Sequence, residues 1–313
     1  GAALCYTGTY TLTIDTDDGD YDQFYAGMNE ENSSYSLKKK EIFTTPAVAL
    51  TYSDEGLSGA SRNFHKWGRT YKLAHGNKER DILLNSWEGV YFNINQSGMD
   101  QMMSDISSMG GELFVMDDGW FGDKYPRNND SSSLGDWVID KNKLPEGIEG
   151  LIKDAKKHGI KFGIWIEPEM ANTVSELYEK HPEWILKAPQ RDPVLGRGGT
   201  QVVLDLANPE VQDFAFKIVD DLMTQYPEIA YIKWDANMAI MNHGSNYLTK
   251  DNQSHMYIEY HRGFEKICQR IRTKYPELVI QACASGGGRA NYGYLPYFDE
   301  FWVSDNTDAL QRI

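Results

Sequence analysis

The chain has 313 residues, with 31 Lys plus Arg against 46 Asp plus Glu, and a formal net charge of −15. An acidic surplus of that size argues against nucleic acid and anionic membrane as partners, because both recruit a basic footprint. With 41% apolar, 25% charged and 12% aromatic residues, the composition is globular rather than disordered, and no apolar run reaches the roughly 18–20 residues that cross a bilayer.

Residues 1–84 read as short strands and turns. Thr7–Ile14, Tyr35–Lys38 and Ala47–Tyr52 are rich in Thr, Tyr and Val, and Asp17-Asp18-Gly19-Asp20 punctuates them. Arg62–Ala74 has the pattern of a helix leading into the next region. From about Trp87 the pattern changes. Apolar, β-branched runs predict strands at Val90–Ile94, Glu112–Met116, Lys161–Ile166, Val202–Leu206, Ala230–Trp234, Leu278–Cys283 and Phe301–Val303. Helices are predicted at Gly98–Met109, Glu146–His158, Thr173–Lys180, Pro209–Gln225 and His255–Lys274, Pro209 suiting a first helical turn. The connection Ser285–Phe298 is Gly-rich and carries little helix. Such alternation predicts a parallel sheet covered by helices.

A doubly wound open sheet and a (β/α)8 barrel both fit that order. The strand ends separate them. Asp117-Asp118, Glu167, Asp205, Asp235, Cys283 and Asp305 each follow a predicted strand. A barrel brings all such ends to one mouth, whereas an open sheet uses only those beside its switch point. No GxGxxG follows the first strand and no Walker motif is present. The expected fold is therefore a TIM-type (β/α)8 barrel. Seven strands are visible before Ile313, so the chain reads as an internal piece of a longer protein, cut before an eighth strand.

Asp235 lies in Tyr231-Ile-Lys-Trp-Asp-Ala-Asn237, after a buried strand. An isolated Asp there often caps a helix or makes a turn. Lys233 and Asn237 at i−2 and i+2 change that reading, because a pleat puts all three on one side, where burying them without a ligand is costly. Asp305 sits two strands later at matching depth, with Asp308 as an alternative from the same segment. Two carboxylates from separate strands can flank a scissile bond, and retaining glycosidases hold them roughly 5–5.5 Å apart. Asp117 and Asp118 repel each other unless something donates to them: a metal ion, vicinal sugar hydroxyls, or the backbone of a turn. Gly286-Gly287-Gly288-Arg289 suits close approach of backbone to a ligand better than a phosphate cradle. Cys283 has no His partner in sequence and reads as a pocket wall. The three cysteines form no disulfide framework, and the seven histidines show no HxH or HExxH spacing.

Several motifs occur in order: Asn85-Ser-Trp-Glu88, Met116-Asp-Asp-Gly-Trp-Phe-Gly122, Leu134-Gly-Asp-Trp137, Trp165-Ile-Glu-Pro-Glu-Met170, Lys233-Trp-Asp-Ala-Asn237, Cys283-Ala-Ser-Gly-Gly-Gly-Arg289 and Ser304-Asp-Asn-Thr-Asp-Ala309. From about Ser61 to Ile313 this resembles the α-galactosidases of glycoside hydrolase family 36. The resemblance implies a β-sandwich domain, whose C-terminal part plus a linker helix is residues 1–84. A catalytic (β/α)8 barrel follows from 85 to 313. It implies a retaining exo-α-galactosidase acting on melibiose- and raffinose-type oligosaccharides, with no metal or organic cofactor, and a homo-oligomer, a tetramer, in the full-length enzyme. By position Asp235 matches the family nucleophile and Asp305 the acid/base. Asp117 and Asp118 match the pair that holds galactose hydroxyls. Trp87, Trp165, Lys233, Asn237, Cys283, Gly286 and Trp302 match other sugar-pocket positions. Arg197 is placed there too, although Gly-Gly-Thr stands between it and Gln201, a two-residue shift from the family pattern. The alternatives are an α-N-acetylgalactosaminidase on the same scaffold, a non-catalytic sugar-binding barrel, and a carboxylate-metal barrel enzyme.

Overall fold

A computed structural model describes residues 1–311. The chain opens with strand β1 (Ala2–Cys5), which pairs antiparallel with β4 (Ala47–Leu50). Between them β2 (Tyr10–Thr16) and β3 (Asp22–Met28) make an antiparallel hairpin. The Asp17 carboxylate accepts from the backbone N–H groups of Gly19 and Tyr21, which closes the hairpin turn. Helix α1 follows at Gly56–Tyr71, starting earlier than its sequence pattern.

The remainder runs β5 (Leu83–Asn85), α2 (Trp87–Val90), α3 (Gln96–Ser108), β6 (Leu113–Met116), α4 (Gly147–Lys157), β7 (Lys161–Ile166), β8 (Met170–Asn172), α5 (Glu176–Lys180), β9 (Gln201–Val203), α6 (Pro209–Gln225), β10 (Ile229–Trp234), α7 (Met256–Lys274), β11 (Val279–Ala282) and β12 (Glu300–Phe301). Side chains set three of the helix starts: Asn95 caps α3, Ser175 caps α5 and Asn208 caps α6 ahead of Pro209.

Six strands form one parallel sheet in the order β12-β11-β10-β7-β6-β5. Two expected strands of the sheet are corrected, and Tyr35–Lys38 in the first region is not a strand either. Val90–Ile94 is not a strand; Val90 ends α2, and the first sheet strand is the three-residue β5, too short to show periodicity. The Val202–Leu206 run gives β9, which pairs antiparallel with β8 outside the sheet, while Leu204 bridges to Ile185. Its burial makes it look like any core strand, and burial alone does not say which sheet a strand joins. The described residues therefore contribute six parallel strands to the barrel, not seven, and β7 pairs directly with β10.

The pleat sorts each strand into two faces. Phe114 and Met116 on β6 join the large core beneath the helices, whereas Leu113, Val115 and Tyr231 form a separate inner cluster with Leu83 and Val279. The inner row across the sheet is Asn85, Val115, Gly163, Tyr231 and Val279. Gly163 makes room in it: a Cβ there would lie 2.9 Å from Tyr231 Cβ and 3.0 Å from Val115 Cγ2. Continuing each strand by two residues on this face reaches Asp117, Trp165, Lys233 and Gln281; two more reach Glu167, Asp235 and Cys283.

The N-terminal segment packs on α7. The Thr7 hydroxyl donates to Glu265, and Tyr6 meets His261 at a ring-centroid distance of 5.6 Å. His261 is buried, and its Nδ1 has no partner among the described residues. Burial, reinforced by the Arg289 charge and only partly opposed by Glu169, lowers its pKa from 6.5 to about 4. The unfolded chain therefore binds this proton more readily than the folded one. The neutral-His contribution is complete above about pH 6.5 and lost as pH falls through about 4, by roughly 3 kcal/mol. Denaturant titrations across that window should show a shallower acid loss in His261→Phe than in the wild type. Parallel curves would mean that His261 does not drive it.

Candidate active site

The strand ends gather at one mouth. Asp117 directly follows β6, and its Oδ2 accepts from Lys233 Nζ at 2.8 Å and Asn85 Nδ2 at 2.6 Å. Its Oδ1 takes the backbone N–H of Asp118. Asp118 is gripped bidentately by Arg127, Nε to Oδ1 at 2.9 Å and Nη2 to Oδ2 at 2.7 Å, with both side chains buried. The adjacent carboxylates are thus each matched to a different buried cation. Burial raises the Asp118 pKa, with the Arg127 guanidinium opposing. Burial also works against the charged form of Lys233, but Asp117, with Cys283 and Asp235 behind it, holds its pKa above the usual value.

Asp235 follows β10 and is 6% exposed. Its Oδ2 accepts from Trp165 Nε1 at 3.1 Å and Asn237 Nδ2 at 2.8 Å, and its Oδ1 from the backbone N–H of Ala236 at 2.9 Å. Three donors fix the plane of this carboxylate. Cys283 lies against the same group. Burial, then the Asp235 charge, pushes its pKa well up, which keeps a thiol there and not a thiolate.

Asp305 stands on the exposed loop after β12. It joins the cluster through Trp302, whose Nε1 donates to Asp305 Oδ1 at 2.7 Å and whose ring lies 4.8 Å from Lys233 Nζ. Gly286, at φ +101°, brings its loop against this segment; a Cβ on it would sit 3.2 Å from Ser304 Cα. Asp308 caps the turn beyond, accepting from the backbone N–H groups of Leu310 and Gln311. Trp87 starts α2 beside Asn85, whose Oδ1 accepts its backbone N–H.

Asp117, Asp118, Trp165, Lys233, Asp235, Asn237, Cys283, Gly286, Trp302 and Asp305 therefore belong to one connected set. Arg197 stands outside it. It is exposed in a short turn and, among the described residues, reaches the set through Asp130, at 3.5 Å, which in turn lies 3.7 Å from Arg127. A cavity of about 740 Å³ opens beside Asn237 and Ser285, walled on its far side by Tyr6–Tyr10 and Asn29.

Three residues of the site escaped the sequence reading as members of it. Asn85 lies on a three-residue strand. Arg127 comes from a polar loop with no periodicity; only its position nine residues after Asp118 hints at it. Glu167 is 1% exposed and accepts from Gln201 Nε2 at 3.0 Å and the backbone N–H of Asn237. Burial, then the Asp235 charge, raises its pKa from 4.5 to about 8. The Trp165-Ile-Glu-Pro-Glu run placed Glu167 at a strand end, and that position was its one signal.

The melibiase family model matches residues 42–313. Over 322 residues the chain is 39% identical to "Probable alpha-galactosidase C" of Aspergillus flavus, and over 316 residues 37% identical to alpha-galactosidase AgaA of Geobacillus stearothermophilus. Both alignments cover 100% of this chain, but only 41% and 42% of those proteins. The chain thus spans about two fifths of the length of the curated relatives that it matches. Its fold superposes on the crystal structure of the GH36 α-galactosidase AgaA with a TM-score of 0.94 at 36% identity, covering 100% of this chain and 43% of that one. The α-galactosidase of Lactobacillus brevis gives 0.95 at 35%, covering 100% and 42%. Crystal structures of AgaA variants hold stachyose and raffinose. The chain belongs to the melibiase family, and within it is built like the GH36 α-galactosidases.

Proposed function

We propose that this chain carries the active site of a retaining exo-α-galactosidase that removes terminal α-galactosyl residues from melibiose- and raffinose-type oligosaccharides. The observation that carries it is the Asp235 carboxylate, buried at the barrel mouth and oriented by Trp165, Asn237 and the Ala236 backbone. A carboxylate so held attacks an anomeric carbon from one direction and forms a covalent glycosyl-enzyme. Asp305 stands at the solvent side, where it protonates the leaving oxygen and then activates an incoming water, with net retention. Asp117 and Asp118 accept from the 4- and 6-hydroxyls of galactose. With Lys233 and Arg127 already balancing their charge, an epimer that fails to donate leaves a buried acceptor unmatched, and discrimination against glucose is large.

The test is product analysis on the complete protein. With raffinose or melibiose, proton NMR should detect α-galactose before β-galactose. β-Galactose appearing first would replace retention with inversion. Release of N-acetylgalactosamine in preference to galactose would move the substrate to the 2-acetamido sugar, and no release of either would leave a binding barrel.

A further inference from the structure

The two glutamates after Trp165 have opposite surroundings. Glu169 is fully buried with partners of its own: the Arg289 guanidinium, the Tyr260 hydroxyl at 2.7 Å and the Trp234 indole at 2.9 Å. Glu167 is as deeply buried, yet the cations nearby are engaged elsewhere, Arg127 with Asp118 and Lys233 with Asp117. The charged and titratable groups that act on it are Asp235 at the end of β10, Asp118 at the end of β6 and Arg127 in the following loop; Gln201 of β9 is neutral. Glu167 Oε1 accepts from Gln201 and from the backbone N–H of Asn237. Asn237 passes this fixation on in two directions, its Nδ2 donating to Asp235 Oδ2 and its Oδ1 accepting the Ser285 hydroxyl at 2.7 Å.

We propose that Glu167 is a positioning residue for Asp235: it pins the backbone at Asn237, so that the Asn237 amide and the Trp165 indole meet Asp235 Oδ2 from fixed directions. The proposal rests on the reading of Asp235 as nucleophile. The group works as a neutral acid. Buried, without an ion-pair partner and facing a carboxylate, it keeps its proton up to about pH 8. In that form it adds no second charge beside Asp235, and Oε1 still accepts both bonds. Above that pH two carboxylates face each other, and although the ionised Oε1 holds the Asn237 N–H more tightly, the repulsion pushes Asp235 out of the direction that its donors set.

Three measurements on the complete protein test this. First, infrared difference spectra between wild type and Glu167→Gln at neutral pH should contain the C=O stretch of a protonated carboxyl, a readout independent of any activity. Second, kcat/KM for an activated aryl α-galactoside, whose leaving group needs no proton, should fall in the wild type above about pH 8. In Glu167→Gln the alkaline fall should be absent, the profile staying level through pH 8, and the neutral-pH loss should be well below that of Glu167→Ala, since an amide oxygen replaces Oε1 and does not titrate. Third, Glu167→Ala should lower kcat by roughly 10²-fold with a smaller change in KM, as expected of a misplaced reacting group. The proposal is overturned if the carboxyl band is absent, if Glu167→Gln is as impaired as Glu167→Ala, or if the wild type and Glu167→Gln lose activity at the same alkaline pH. An Asp235→Gly control separates the two levels: full activity in it overturns the functional reading along with this proposal, whereas an inactive control beside any of those outcomes overturns the proposal alone.

Discussion

Asp235→Gly in the complete protein should halt cleavage of even activated aryl α-galactosides, by more than roughly 10⁴-fold, because in the proposed mechanism no bond breaks without this carboxylate. Asp305→Ala should behave differently. Substrates with poor leaving groups should slow by roughly 10²–10⁴-fold, while activated aryl galactosides, which need no protonation, still form the intermediate. Azide then reports which group is missing. In Asp305→Ala it attacks the covalent intermediate and gives α-galactosyl azide; in Asp235→Gly it attacks the substrate from the vacated face and gives β-galactosyl azide. Opposite anomers would reverse the two assignments. Full activity of both variants on raffinose would end the two-carboxylate reading.

The second large effect lies in the buried pair of Asp118 and Arg127. Arg127→Ala should cost about 3–5 kcal/mol of stability in denaturant titrations, since it leaves Asp118 buried without its cation. Much of that is the isolated charge and not the worth of the pair. Arg127→Met combined with Asp118→Asn should therefore be more stable than Arg127→Met alone, a non-additivity expected of side chains in contact. If Arg127→Ala cost less than about 1 kcal/mol, water or Lys143, whose Nζ donates to the Arg127 backbone carbonyl at 2.7 Å, would be replacing the guanidinium. KM for a galactoside should also rise in Arg127→Ala, because Asp118 loses the fork that aims it.

What could be read in the amino-acid order was whatever repeats with a period or stands in a motif. The pleat made Lys233, Asp235 and Asn237 a visible set, and the buried runs at β6, β7, β10 and β11 marked the strands that carry the site. Sheet membership was not visible, because the apolar run around β9 carries the same pattern whether it pairs with β8 or with β7. Nor was β5, whose three residues are too few to show alternation. Arg127 stayed hidden, and Glu167 was visible only as a strand end without a role, because their importance comes from what faces them across the mouth; the sequence separates Glu167 from its Asn237 contact by 70 residues.

The direct hydrogen bonding of β7 to β10 also governs the order in which the chain can assemble. Trp165 and Asp235 are 70 residues apart, and Lys233 and Asp117 are 116 apart. Closing a loop of the shorter length costs roughly 4 kcal/mol of chain entropy before any contact repays it. Contacts of such sequence range form slowly, after the hairpin and helices. Every donor on Asp235 except the local Ala236 and Asn237 groups belongs to that late class. A chain whose Asp235 is fully clamped has therefore closed its long excursion through β8, β9 and α6, and the complete donor set on this carboxylate reports that closure.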